Sequence, residues 1–255
     1  MGRSGSGRLA AGIRPECHTS AIPAPAHGTA GPAILFLVRL IEELRAEHDL
    51  IERVAGSLRV YARERAEGRG APGEGLRFLV FLRLYAGRFH HGREEDTLFV
   101  ALQRDAELPG DRGPIAALLD DHREMERLLD SMDPLAGDEG DDARGAFRDL
   151  ALEYTKKLLH HIDAENSVLL PESESRLRRH AVLELPTREM TDEERASRAV
   201  GEALVAAWPP VPEPEILRGD GCVVCPAFTR TCRGLEHEWW NDWEWEEFED
   251  HLPSG

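Results

Sequence analysis

Two histidine–glutamate pairs with a spacing of four residues are the first feature of the sequence that could do chemistry. They are His90 with Glu94 and His161 with Glu165. Residues four apart share one face of a helix, so each pair would present an imidazole and a carboxylate on the same side. Imidazole and carboxylate together suit iron, manganese or zinc. Two such pairs in one chain therefore predict a metal site.

The two pairs lie in two of four strongly helical stretches, and the other two stretches carry His48 and His122. In all four stretches the histidine interrupts an apolar seam whose members recur at steps of three and four residues. In the third stretch, for example, the seam includes Leu118, His122 and Met125. The histidines are therefore expected to point into a shared interior.

Loops rich in Gly, Pro and Asp separate these stretches, at residues 68–75, 108–114 and 133–142. Loops of this length usually join antiparallel neighbours. The sequence thus predicts an all-α protein, an up-down-up-down antiparallel four-helix bundle over residues 33–172. Pro171 is expected to end the fourth helix, because proline disrupts the hydrogen bonding of a helix interior.

Each histidine lies near the middle of its helix, and the midpoints of antiparallel helices of similar length lie at one level. Six residues are expected to converge there as metal ligands: His48, His90, Glu94, His122, His161 and Glu165. Burying a carboxylate is costly unless it is paired or bound to a cation. Four imidazoles and two carboxylates are too many for one tetrahedral zinc ion. Two metal ions bridged by both carboxylates would use them all.

Three neighbours of these residues have less specific interpretations. His91 and His160 are one position away from the ligand positions, so they are expected to flank the site. Gly92 weakens its helix by about 1 kcal/mol relative to alanine. It is expected to allow close approach of a neighbouring element.

The ferritin-like di-metal pattern, a glutamate three residues before a histidine, is absent. Those positions hold Arg45, Gly87, Leu119 and Leu158. The chain instead resembles the hemerythrin-like family of HHE cation-binding domains, over roughly residues 35–172. The resemblance depends on AEHDLIE, FHHGREEDTLF, DDHREME and HHIDAENSVLLP. It implies two non-haem irons in a four-helix bundle, held by the same six residues. It also implies oxygen binding, sensing of oxygen or redox state, or a role with nitric oxide and iron–sulfur damage.

One position departs from the oxygen-carrying hemerythrins, which have a second histidine one turn after the histidine of the third helix. Here that position is Glu126. The site is therefore expected to be symmetrical, with two histidines for each iron. This resembles the di-iron repair-type proteins more than the oxygen carriers.

The ends of the chain differ in composition from the bundle. Residues 1–32 are rich in Gly, Ala, Ser and Pro and are predicted to be disordered. Residues 173–255 form a C-terminal extension, in which Thr191 and Glu194 predict the capping box of a short helix. The extension ends in a Cys/Trp-rich acidic tail.

Two features of this tail leave their function open. A C-x2-C-x6-C-x4-H spacing could close a zinc site, could contain a redox-active thiol pair, or could have no function. It consists of Cys222, Cys225, Cys232 and His237. Residues 236–251 hold four tryptophans among eight acidic residues. This acidic Trp-rich segment either docks on the bundle or binds a protein partner.

Composition excludes several classes of function. The formal net charge of −17 argues against binding to nucleic acid or to anionic membranes. The longest apolar run, at 33–41, contains Arg39 and is too short to span a bilayer. The N-terminal segment has scattered arginines but no apolar core, so a secretory signal is not expected, and the four cysteines suit a reducing cytoplasm.

The preferred hypothesis is thus a soluble, cytoplasmic di-iron protein that binds a diatomic ligand, oxygen or nitric oxide, in sensing or in iron and redox homeostasis. One alternative is a di-iron enzyme that reduces peroxide or nitric oxide. The other is a metal-stabilised interaction module. The sequence leaves the oligomeric state open.

Overall fold

A computed structural model of the protein describes residues 32–212, with the side chains of all of these except 32–38 and 72. The predicted disorder of the N-terminal segment concerns residues outside this range, apart from residue 32. The predicted zinc site at Cys222, Cys225, Cys232 and His237 and the acidic Trp-rich segment also lie outside it.

Within residues 32–212 the regular structure is entirely helical, which confirms the all-α class. Five helices follow one another: α1 (Pro32–Ala66); α2, composed of Pro72–Phe81, Leu82–His91, Glu94–Phe99 and Val100–Asp105; α3 (Gly113–Met132); α4, composed of Asp141–Ala164, Glu165–Leu169 and Leu170–Arg179; and α5 (Asp192–Ala207). A 3-10 turn, Asp133–Leu135, follows α3. None of the helices in this range is long and apolar enough to cross a membrane.

The first four helices pack as a bundle, in which α1 contacts α4 and α2, and α3 contacts α4 and α2. Their buried apolar side chains form two separate clusters. In each helix the predicted ligand histidine lies, along the chain, between a residue of the first cluster and a residue of the second. The residues of the first cluster are Ile51, Phe89, Met125 and Leu158, and those of the second are Leu44, Leu98, Leu118 and Leu169. The histidines therefore form a polar layer between two apolar cores.

Helices α2 and α4 contain π-helical segments that include His90, Glu94 and Glu165, while His161 lies one turn before the segment in α4. These segments are Leu82–His91, Glu94–Phe99 and Glu165–Leu169. The Gly92 N–H, for instance, donates to the carbonyl of Gly87, five residues earlier. Such widened turns occur frequently at functional sites. They also shift the residues that follow relative to the regular helical period.

The prediction that Pro171 ends the fourth helix is wrong, because α4 continues to Arg179. Pro171 stands in the first turn after the π-helical segment Glu165–Leu169. There the regular hydrogen-bond ladder is already interrupted, so the missing proline N–H costs little. The added turns pack against the end of α2, where Arg176 donates to the carbonyl of Ala106 at 2.6 Å.

Helix α5 docks on α1 and α2. Its predicted capping box is confirmed, since the Glu194 N–H donates to Thr191 Oγ1 at 3.2 Å and the Thr191 N–H donates to Glu194 Oε2 at 2.7 Å. A Cβ atom at Gly201 would lie 2.3 Å from Cε2 of Phe81, so a glycine is needed for this close approach. Helix α5 is thus joined to the bundle by direct packing.

Glu194 provides a test of how α5 is held. Arg188 donates to both of its oxygens, at 2.8 and 2.9 Å, and these bonds lower the pKa of Glu194 to about 2 although burial opposes them. A depressed carboxylate pKa stabilises the fold above the ordinary value of 4.5, and this stabilisation is lost as pH falls towards 2. We expect Glu194→Gln to lower the free energy of unfolding by about 2 kcal/mol at pH 7.

Urea unfolding at pH 7 and pH 3 would measure this effect, with the exposed Glu202→Gln on the same helix as the control. The difference between Glu194→Gln and wild type should shrink at pH 3. An equal loss at both pH values would contradict a role for the ionised carboxylate.

Candidate metal centre

The structure brings all six predicted ligand residues together in the polar layer. Each is at most 5% exposed: His48, His90, Glu94, His122, His161 and Glu165. They come from all four helices of the bundle. Their convergence follows from the seam positions, because each residue replaces an apolar member of its helix face.

The two glutamates each lie between two imidazoles. Glu165 has one oxygen 3.2 Å from Nε2 of His48 and the other 3.4 Å from Nε2 of His161. Glu94 has one oxygen 3.4 Å from Nε2 of His90 and the other 3.7 Å from Nε2 of His122. Both carboxylates therefore connect the same two places, one beside His48 and His90 and the other beside His122 and His161.

The imidazoles are paired accordingly. The ring centroids of His48 and His90 are 4.6 Å apart, and those of His122 and His161 are 4.8 Å apart. The ligand atoms form two sets, each within 4.8 Å: His48, His90, Glu94 and Glu165 in one, and His91, Glu94, His122 and His161 in the other. Glu94 belongs to both sets.

His91 lies closer to the predicted ligands than the sequence analysis expected. It was expected to flank the site, but its ring is stacked on that of His122, with centroids 3.9 Å apart and planes 11° apart. Its Nε2 atom is buried and makes no hydrogen bond to the described residues. The histidine doublet was the only signal in the sequence, since a regular helical period turns His91 away from His90. His160, by contrast, is exposed.

Outer polar residues lie against the Nδ1 atoms of the four predicted ligand histidines, and sequence reasoning missed all of them. Three of these contacts are hydrogen bonds: Glu47 with His90 at 2.9 Å, Glu95 with His122 at 2.6 Å, and Asn166 with His48 at 3.0 Å. Asp121 lies 3.5 Å from Nδ1 of His161, close enough for an ion pair but without a hydrogen bond. Such acceptors fix the ring orientation and leave Nε2 facing the centre.

These outer partners follow a simple rule along the chain. Each is adjacent in the chain to a predicted ligand on its own helix and contacts a histidine on another helix. The partner on α1 contacts a histidine of α2, the one on α2 a histidine of α3, the one on α3 a histidine of α4, and the one on α4 a histidine of α1. Glu47 is itself held by the buried Arg93, which also pairs with Glu43. The result is a closed ring of polar contacts around the layer.

The buried charges at the centre fit a bound cation. Both oxygens of Glu94 and of Glu165, and Nε2 of His48 and His90, are buried without a hydrogen-bond partner among the described residues. Burial, with the neighbouring charge of Glu165, raises the pKa of Glu94 well above its usual value. Unsatisfied buried carboxylates are costly, and a cation would satisfy them.

Comparison with known families gives a match over residues 39–173, more than half of the chain. The matching family is the hemerythrin HHE cation binding domain. The chain belongs to this family. Comparison with curated proteins and with solved structures found no match.

Membership in the hemerythrin family confirms the resemblance inferred from the four sequence segments. The match includes all six predicted ligands and ends at residue 173, within α4. Cation binding is what the family description states, and the buried His/Glu layer provides groups that could hold a metal. Helix α5 lies outside the matched hemerythrin domain.

A cavity of about 500 Å³ reaches His91 and His122 from between α2 and α3. Gly87 and Gly92 contribute to its wall, and Glu126 also lines it. A Cβ atom at Gly92 would have no neighbour closer than the Gly87 carbonyl oxygen at 4.0 Å. The interpretation that Gly92 permits close approach is therefore wrong, since its missing side chain instead leaves space beside the histidines.

Proposed function

We propose that this protein holds two iron ions and binds a diatomic ligand, oxygen or nitric oxide, at them, in sensing or in iron and redox homeostasis. The observation that carries the proposal is the placement of two carboxylates, each of which faces one imidazole of the first histidine pair and one imidazole of the second. His48 and His90 would hold one ion, His122 and His161 the other, and Glu94 and Glu165 would bridge them. Iron is taken from the family, and imidazole with carboxylate suits it.

Two histidines and two carboxylate oxygens would leave each bound ion able to accept a further ligand, and iron would supply reversible ligand binding or redox chemistry there. The surrounding residues have separate roles. The two apolar clusters border the layer on either side, and the ring of outer partners orients the imidazoles.

The proposed topology of the bundle is up-down-up-down and antiparallel. Contacts between neighbouring helices support it, because the residue numbers run in opposite directions. From α1 to α2, Glu47 contacts His90 while Tyr61 contacts Gly75. From α1 to α4, His48 contacts Asn166 while Arg59 contacts Thr155. A cytoplasmic location and a partner for the acidic Trp-rich segment remain predictions from the sequence.

The cavity between α2 and α3 is the proposed entry route for the ligand, because it reaches His91 and His122. We expect Gly92→Leu to fill part of it and to slow ligand association at least about tenfold, which corresponds to roughly 1.4 kcal/mol of added barrier. Iron content should not change, since the Gly92 position faces open space rather than the ligand atoms.

Stopped-flow absorbance of the anaerobically reduced, iron-loaded protein mixed with nitric oxide or with oxygen would measure both binding and its rate. Gly92→Ala is the matched control, and it should bind as wild type does while gaining up to about 1 kcal/mol of stability. If neither gas changed the spectrum of the loaded wild type, the proposal would fail. Sustained consumption of nitric oxide or peroxide with a reductant would instead favour the enzyme.

A further inference from the structure

We propose that His91 is a fifth histidine ligand, so that one ion is held by His91, His122 and His161 and the other by His48 and His90. This inference rests on the proposed metal pair and deepens it. It replaces the symmetrical arrangement that the sequence suggests with an asymmetrical one.

The position of His91 among the ligand atoms is the first argument. A nitrogen of His91 lies within 4.8 Å of ligand atoms of Glu94, His122 and His161. The residue is only 8% exposed, and its Nε2 is one of the buried nitrogen atoms that make no hydrogen bond to the described residues. A buried nitrogen with no partner is costly. A cation shared with His122 and His161 would provide that partner.

The stacking of His91 and the grouping of its ligand atom place it on one side of the centre. It stacks on His122 with centroids 3.9 Å apart, whereas its centroid is 5.6 Å from that of His161 and 5.5 Å from that of His90. The ligand set that contains His48 and His90 does not include it. His91 is therefore positioned for the ion of His122 and His161 alone.

The π-helical segment Leu82–His91 explains how two consecutive residues reach the interior. It ends at His91, and its widened turns depart from the regular spacing that would direct His91 away from the centre. The position one turn after His122, which holds a fifth histidine in the oxygen-carrying hemerythrins, is Glu126, and Glu126 lines the cavity. The additional histidine would thus come from α2 rather than from α3.

Two variants separate ligation from packing. His91→Phe keeps a flat ring that can stack on His122 but has no nitrogen, whereas His91→Ala removes both ring and nitrogen. The control is His160→Ala. Like His91, His160 is adjacent in the chain to a predicted ligand histidine, here His161, but its side chain is exposed. Far-UV circular dichroism of each protein would verify that it is folded.

The measurement is anaerobic iron(II) binding in competition with a chelator, together with Mössbauer spectra of the ⁵⁷Fe-loaded proteins. We expect His91→Phe and His91→Ala to bind one of the two irons at least about tenfold more weakly, with the spectrum of that iron changed. His160→Ala should match wild type. If His91→Phe bound both irons with wild-type affinity and spectrum, ring stacking would be the only role of His91 and the inference would be overturned. Wild-type protein without an iron pair would overturn the proposed function as well.

Discussion

Glu94→Ala is expected to remove both metal ions from the protein. Glu94 is the only residue that belongs to both sets of ligand atoms among the described residues, and its two oxygens face His90 and His122. Its loss takes one ligand from each ion at once. We therefore expect iron content to fall from about two ions per chain to near zero, because each lost ligand weakens binding at least about tenfold.

Metal analysis by mass spectrometry of protein purified without added metal would measure this loss. Glu126→Ala is the control, since Glu126 is an exposed carboxylate on the wall of the nearby cavity and should leave iron content unchanged. Retention of one tightly bound ion in Glu94→Ala would show that Glu94 serves a single ion. The proposed role of Glu94 as a bridge between the two ions would then be overturned.

Removal of the metal is expected to lower the free energy of unfolding by about 4 kcal/mol relative to protein at a free metal concentration 1,000 times Kd. The physical reason is the set of buried groups at the centre that have no hydrogen-bond partner among the described residues. Chelator-stripped and iron-loaded samples unfolded in urea would give the difference directly. Equal stability of the two samples would contradict a metal at this centre.

In the metal-free protein, His90, His91 and Glu94 each contribute a pH dependence of stability whose sign follows from the shift of its pKa. Burial lowers the pKa of His90 and of His91 well below 6.5, so the unfolded chain takes up protons first and stability falls as pH drops below 6.5. Burial raises the pKa of Glu94 well above 4.5, so its contribution to stability is lost as pH rises above 4.5. Metal binding needs deprotonated ligands, so acid should also release the metal.

Glu94→Gln provides the matched test of this second effect. In the metal-free state it removes a buried carboxylate whose ionisation destabilises the fold, so we expect it to be more stable than metal-free wild type at pH 7 by about 1 to 3 kcal/mol. The same substitution should weaken metal binding. A variant that is less stable than wild type in the metal-free state would show that burial of the Glu94 charge carries no penalty.

Much of the centre could be predicted from the sequence. His48, His90, His122 and His161 occupy positions of apolar seams, and a seam position is buried whatever the details of packing. The spacing of Glu94 and Glu165 places them one turn from their histidines. The capping box of α5 was predicted in the same way, because Thr191 and Glu194 interact within a single turn. All of these inferences depend only on local periodicity.

Other features were decided by the tertiary structure. The π-helical segments interrupt the regular helical period of α2 and α4. Sequence patterns that assume this period do not predict where it is interrupted. The π-helical segments turn His91 inward and allow α4 to continue through Pro171. The outer partners Glu47, Glu95 and Asp121 hold histidines on neighbouring helices, so their roles depend on which helices are adjacent. Spacing along one helix determines which residues face inward, whereas contact between helices determines what each of them meets there.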